Sequence, residues 1–311
     1  MKLLGSVFVV LFAAIVATVV FHLTHGIAHP LHAQLLNDES VMGAGAAWEI
    51  LSGFNTAPGA TLTAWTMGAG DSLTMRYSPD NTKMVRLMTA WFTNKAAGAF
   101  QITAPTMHDN VRALHGQVVT ANPLQLMPRG VPQRLRPQDT LSVLQSGSAV
   151  GGAIEQGSVM IYYDDLPGIA ARFIDTPTLM RRGVNIIGVK NTLALGVTGG
   201  YSGSQAINTT DDLFKANTDY ALVGYLTDTL CGSIGWKGAD TGNLRVGGPG
   251  HNTQKQVTGD WFKRLGEEFG LPMIPVFNSA GKGAIFIDGT QDDGGADPIV
   301  TSLFVELAPG Q

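Results

Sequence analysis

Four histidines, His22, His25, His29 and His32, follow one another at spacings of three, four and three. On a helix, such spacing sets several imidazoles on one face and could hold zinc or nickel. Gly26 and Pro30 interrupt that helix, and no Asp, Glu or Cys stands close enough to complete the site. No metal is therefore expected. His22, His25 and His29 read instead as membrane-interface groups at headgroup level, where partial protonation suits both the helix C-terminus and anionic lipid.

Other chemistry-bearing stretches lose their partners on inspection. Asp288–Asp297 is rich in oxygen ligands, yet it departs from the D-x-[DN]-x-[DN]-G spacing of a calcium loop and reads as an exposed turn between strands. Tyr162, Tyr163, Asp164 and Asp165 offer a carboxylate pair, but a strand ending in a polar turn before Pro167 accounts for them. Gly200–Ser204 lacks the last glycine of a nucleophile elbow, and Ser279–Lys282 matches S-x-x-K without its companion motifs. Gly281-Lys282-Gly283 lacks the flanking residues of a phosphate loop. Gly247–His251 reads as a turn by composition. With no nucleophile, base and orienting group together, no enzyme and no cofactor are expected.

The elements around these residues begin with an apolar run. From Leu3 to Phe21 only Gly5, Ser6 and Thr18 interrupt it, and Lys2 is the sole charge before Asp38. As a helix it spans about 28 Å, close to the hydrocarbon thickness of a bilayer. It exceeds a signal-peptide core, and the nearest small-x-small site, Leu31-His32-Ala33, carries a large residue. A retained membrane-associated helix is expected, with Leu4, Phe8, Leu11, Phe12, Ile15, Val19 and Phe21 as its lipid-facing residues. A cleaved signal and a buried core helix are the alternatives.

Composition narrows the partners. Hydrophobic residues make up 44% of the 311, which excludes general disorder, and charged residues only 14%, well under the usual quarter. A surface so poor in charge repels itself weakly and suits contact with further subunits. The net charge of −4 provides no basic face for direct nucleic-acid binding. Cys231 is the one cysteine, so no intrachain disulfide exists.

From Ala60 onward, short alternating runs lie between turn residues: TLTAWTM, SLTMRY, MVRLMTAWF, AFQITA, TLSVLQ and SVMIYY, then NTLALGV, YALVGYLT, NLRVG, MIPVFN, AIFID and TSLFVEL. They predict an all-β sandwich or barrel. One segment differs. In TGDWFKRLGEEFG, Thr258 or Asp260 can cap a helix, Trp261, Leu265 and Phe269 fall at helical spacing, and Gly270 ends it.

The runs also echo one another in order. Ala60–Ala64 resembles Asn191–Leu195, Ala90–Asn94 resembles Gly224–Asp228, Asn110–Ala113 resembles Asn243–Val246, and Ser158–Ile161 resembles Ser302–Val305. A duplication of this size gives each unit about eight strands, the size of a jelly roll.

Two consecutive jelly rolls, a helix before the late strands of the second, a Gly-rich uncharged composition and a membrane-seeking N-terminus together resemble the double jelly-roll major capsid proteins. These belong to tailless icosahedral viruses such as tectiviruses, corticoviruses and adenoviruses, and the short loops resemble the small membrane-containing bacteriophages. The resemblance implies a structural protein of the virion shell, assembled in the host cell. It implies homotrimers of pseudo-hexagonal outline that contact neighbouring capsomers, internal membrane lipids, and minor capsid and vertex proteins. The expected division is a membrane-associated helix over 1–36, a connector over 37–58, a first jelly roll over 59–168, a linker over 169–189 and a second jelly roll over 190–311. A membrane-anchored or secreted β-sandwich adhesin or carbohydrate-binding protein is the alternative reading.

Overall fold

In its first half the chain forms β1 (Ala47–Asn55), β2 (Thr63–Ala64), β3 (Thr66–Met67), β4 (Val85–Thr93), β5 (Gly98–Thr103), β6 (Leu114–Val118), β7 (Gln133–Leu135), β8 (Ser142–Gln145) and β9 (Glu155–Tyr163). The second half begins with β10 (Phe173–Ile174), α1 (Thr176–Arg182), β11 (Gly183–Thr192), β12 (Gln205–Ala206), β13 (Asp219–Thr227), β14 (Cys231–Lys237) and β15 (Val246–Pro249). It ends with α2 (Trp261–Phe269), β16 (Ile274–Asn278), a 3₁₀ helix (Ser279–Ala284), β17 (Phe286–Gln291) and β18 (Ile299–Leu307). This computed structural model describes residues 46–55, 59–67, 72–77, 84–93, 98–107, 113–118, 132–147, 155–194, 202–207, 213–228, 231–250, 258–291 and 297–309. They fall within one unit, Val41–Pro309, and the unit Met1–Ser40 with Gly310–Gln311 lies outside them.

The fold is mostly β, with four antiparallel sheets and few short helices. In the first half a five-stranded sheet runs β3-β1-β9-β4-β7 and a four-stranded sheet β2-β8-β5-β6. The second half has β10-β16-β13-β18-β11 and β12-β17-β14-β15. With the short additions β3 and β10 set aside, β1-β9-β4-β7 corresponds to β11-β18-β13-β16, and β2-β8-β5-β6 to β12-β17-β14-β15. One strand order has been used twice.

A shared irregularity fixes the correspondence residue by residue. β4 bulges against β9 between Leu87 and Thr89, opposite Ile161 and Met160. β13 bulges against β18 between Leu222 and Gly224, opposite Phe304 and Leu303. Aligning the bulges places Trp91, opposite Ser158, with Leu226, opposite Thr301. It likewise places Trp48, opposite Tyr162, with Ile186, opposite Val305. The sequence echoes matched Trp91 to Tyr225 and Ser158 to Ser302, the right strands one residue out of step. In a strand that slip turns every side chain to the other face.

Each half closes over its own apolar layer. In the first, Phe92 stacks on Phe100 at 4.7 Å and tilts against Trp65 at 5.3 Å. In the second, Phe304 meets Phe214 and Phe277 edge-on at 5.4 and 6.2 Å, and Trp236 donates its indole N–H to the Ser302 hydroxyl at 2.9 Å. α2 forms where the sequence predicts it, with Trp261, Phe262 and Leu265 buried, Asp260 at the N-cap and Gly270 in the left-handed region at φ 65°. Asp260 takes the N-cap position without a side-chain cap hydrogen bond, and its carboxylate pairs with Arg264 at 2.7 Å.

Three expected loop stretches hold regular structure. The stretch 37–58, read as a connector, contains β1, all nine residues of which are buried. The stretch 169–189, read as a linker, contains β10, α1 and the start of β11. α1 carries a local start signal, since the Asp175 carboxylate accepts the Thr178 N–H at 2.8 Å. Residues 247–249, read as a turn, belong to β15, whose four residues are all buried. Conversely SLTMRY, read as a strand, contributes only an isolated bridge between Thr74 and Thr140.

Candidate functional site

The candidate site of this protein is a surface, built where the two halves meet. One face of β1 and β9 turns toward its own four-stranded sheet, and the other turns toward β14, β15 and α2 of the second half. Every residue of β1 and β9 is consequently buried. Trp48 is fully buried with its ring 5.8 Å from Phe262 and 5.9 Å from Phe173, and Trp91 lies 5.2 Å from Trp261. Large aromatic surfaces removed from water on both sides give this seam its strength.

Polar groups set the register of the seam. Arg245 donates from Nε to the Asp288 carboxylate and from Nη1 to the Ser52 hydroxyl, the latter at 2.7 Å. Both members of the pair are about 5% exposed as side chains. Ser52 in turn bonds the Ser158 hydroxyl at 2.8 Å, and the Ile50 N–H donates to the Arg245 carbonyl at 2.7 Å. A buried ion pair does little for net stability unless its hydrogen bonds are satisfied, but it strongly penalises a displaced packing.

Glycine makes the close approach possible. A Cβ on Gly247 would lie 1.9 Å from the Ile234 carbonyl oxygen and 2.7 Å from Ile50 Cδ1, and one on Gly232 would collide with the Gln156 amide at 1.7 Å. The glycines of β14 and β15 thus present a flat sheet face into which side chains of β1 and β9 press.

The residues with catalytic types are absorbed into such scaffolding. Tyr163 donates to Glu49 at 2.7 Å, and Arg76 grips the same carboxylate at 2.7 and 2.8 Å. Burial, and then the Glu49 charge, holds the Tyr163 phenol well above its ordinary 10.0. Asp164 pairs with Arg86 at 2.9 Å, and that guanidinium sits over the Tyr162 ring at 5.7 Å. Ser202 is buried and bonds Gly289, donating its N–H to the carbonyl and accepting the Gly289 N–H, both at 2.8 Å. The Ser279 hydroxyl donates to the Lys215 carbonyl at 2.6 Å.

Asp288, grouped by sequence with a polar turn, is a strand residue committed to Arg245. Another cluster joins the ends of the second half. Arg172 binds Asp219 and Asp240, and Asn278 donates to Asp219 at 2.8 Å. Burial raises the Asp219 carboxyl, but the hydrogen bonds and charge of Arg172 and the bond from Asn278 outweigh it and hold the group below 3.8.

The expected membrane residues Leu4, Phe8, Leu11, Phe12, Ile15, Val19 and Phe21, and the interface residues His22, His25 and His29, lie outside the described residues. Among the described residues no helix is long and apolar enough to cross a membrane, and no group of three His, Cys, Asp or Glu could hold a metal ion.

The seam itself was not anticipated. Its sequence signal was the glycine-rich run GGPG at 247–250, since glycine inside a strand marks the approach of another backbone.

No known protein family matches this sequence, and no curated protein matches it. Among solved structures the chain is distantly similar to the PBSX exported protein XepA, with TM-score 0.24 and 11% identity over 83% of this chain and 86% of that one. It is also distantly similar to a chain of a human norovirus GI.7 virus-like particle, with TM-score 0.22 and 9% identity over 89% of this chain and 66% of that one. The resemblance to phage and viral proteins is thus remote and confined to a β-rich, sandwich-like fold.

Proposed function

We propose that the protein is a major capsid protein of the double jelly-roll type. It assembles as homotrimers of pseudo-hexagonal outline that tile an icosahedral shell. The observation that carries this reading is the repeated strand order. In each half the first, eighth, third and sixth strands of the repeat form one sheet, and the second, seventh, fourth and fifth form the other. A jelly roll has this connectivity, and its recurrence in both halves supports a reading of two in tandem.

Such a chain works by assembly rather than chemistry. Two rigid prisms are locked by the seam, so three chains present six similar walls around an axis, and loops poor in charge meet neighbours with little to desolvate. In this reading the apolar run Leu3–Phe21 lies against the lipid of an internal membrane, and neighbouring capsomers and vertex proteins are the remaining partners.

Sedimentation of the purified full-length chain in mild detergent, at low and high salt, tests the reading together with electron microscopy of the assembled material. The expected result is a trimer in both buffers, because an obligate apolar interface above about 2,000 Å² responds weakly to screening, and hexagonal capsomers or shells in the images. A monomer at micromolar concentration in both buffers, with no ordered assemblies, would overturn it in favour of a β-sandwich binding module.

A further inference from the structure

The repeat leaves one face of each kind open. In the first half, the outward face of the five-stranded sheet is covered by the outward face of the second half's four-stranded sheet. In the second half, the corresponding face of β11 and β18 carries Val184 at 62% exposure, Ile186 at 59%, Ile299 at 38% and, from β13, Leu226 at 39%, with the exposed Lys190 in the row of Thr301 and Leu226. Ile186 stands where Trp48 stands in the first half, and Leu226 where Trp91 stands. Both tryptophans are buried by the seam. A cluster of exposed aliphatic side chains on a sheet face marks an interaction surface.

The four-stranded sheet of the first half is open in the complementary sense. Gly116 turns toward the Phe100 ring, so His115 before it faces outward and is exposed. In register with it across that sheet run Gln101, Leu144 and the exposed Ala64. The row bears no carboxylate, lysine or arginine that an aliphatic partner would have to desolvate.

We infer that the β11–β18 face of the second half receives the outward face of β5, β6 and β8 from a second copy of this chain, repeating between molecules the contact that the two halves make within one. The inference rests on the double jelly-roll reading and names the wall through which its subunits meet. Because the two surfaces differ, the contact is heterologous and runs head to tail, which closes a ring when the rotation between copies returns on itself, as a trimer requires, where an isologous contact would stop at two copies. β11 is the edge of its sheet, as β1 is for most of its length, and β1 already uses a free edge N–H, that of Ile50, to bind the segment entering β15. The second copy offers the corresponding segment at Ala113, just before β6.

Two experiments on the full-length chain test this. An Ile186→Asp, Leu226→Asp variant keeps its fold, since both side chains are exposed within one chain, so its circular dichroism should match the wild type. Its self-association constant should fall by more than about a hundredfold, as expected when charge enters the centre of an interface. In the second experiment an Ile186→Cys chain and a His115→Cys chain are mixed and treated with a short bis-maleimide; Cys231 is fully buried and shielded. Cross-linked dimers should form in the mixture and in neither protein alone.

A wild-type trimer that the Asp variant leaves intact, or cross-linking of Ile186→Cys chains to themselves, would overturn the assigned face while leaving the capsid reading in place. A wild-type chain that is monomeric would overturn both.

Discussion

The two five-stranded sheets share a strand order and differ in what covers them. In the first half, β1 and β9 are buried on both faces, and Trp48 and Trp91 are locked between the halves. In the second, β11 shows seven of its ten residues to solvent, and Ile186 and Leu226 occupy the places of those tryptophans. The difference teaches that burial here follows position in a chain of repeats rather than the fold of a repeat. A unit with a successor has its outer wall covered, and the last unit does not.

Substitutions at corresponding positions sharpen this contrast. Trp48→Ala removes a fully buried aromatic from the seam and should cost about 3 to 5 kcal/mol in denaturant unfolding. A cost near zero would mean that the seam opens freely.

Asp288→Ala takes the carboxylate from a guanidinium buried between the halves and should cost about 3 to 5 kcal/mol, as one-sided removal from a buried pair does. The Asp288→Ala, Arg245→Met double variant should recover much of that loss, because no charge is then left in the seam. A double variant as unstable as the sum of two separate losses would show that the pair does more than set register.

Leu265→Ala on α2, where the side chain is 2% exposed, should cost about 2 to 5 kcal/mol. A loss under about 0.5 kcal/mol would place that helix face in solvent.

A smaller effect is expected in acid. Asp219 is held below its ordinary value, so its contribution is present above pH about 4 and disappears as pH falls through the lower folded value. Thermal unfolding below pH about 4 should therefore be less steeply pH-dependent in Asp219→Asn than in the wild type. The smallest change belongs to Ile186→Ala, which should stay within about 0.5 kcal/mol in a dissociated chain, against the large loss at its counterpart Trp48.

Much of the fold could be read from local pattern. Alternation located β5, β8 and β18, where one face is buried and the other less so, and runs of β-branched, apolar and aromatic residues located β4, β9 and β13. Helical spacing and the Gly270 stop located α2. β1 escaped because AWEILSGFN, buried on both faces, has neither a polar face to alternate with nor the unbroken apolar run that betrays the equally buried β9, its apolar residues being interrupted by Glu49, Ser52, Gly53 and Asn55. Two echoes, of β4 with β13 and of β9 with β18, located equivalent strands but missed the register by one residue, because similarity of side chains cannot sense which way a pleat points; the first, of Ala60–Ala64 with Asn191–Leu195, matched β2 to the end of β11, whose counterpart is β1. The bulges in β4 and β13 supplied that information.

Apart from the glycine-rich run at 247–250, the candidate surface was legible only as composition. Scarce charge and abundant glycine announced contact between large uncharged surfaces without locating them. By itself the sequence determined a mostly β chain with one amphipathic helix before its late strands and a composition poor in charge, since these depend on the order of residues and their local preferences. Tertiary structure alone decided that Gly232 and Gly247 sit beneath side chains of the other half, and that Arg245 meets Asp288 and Ser52 across 43 and 193 residues of chain. It also decided that Ile186 is exposed where Trp48 is covered, because burial depends on which surfaces the completed sheets bring together.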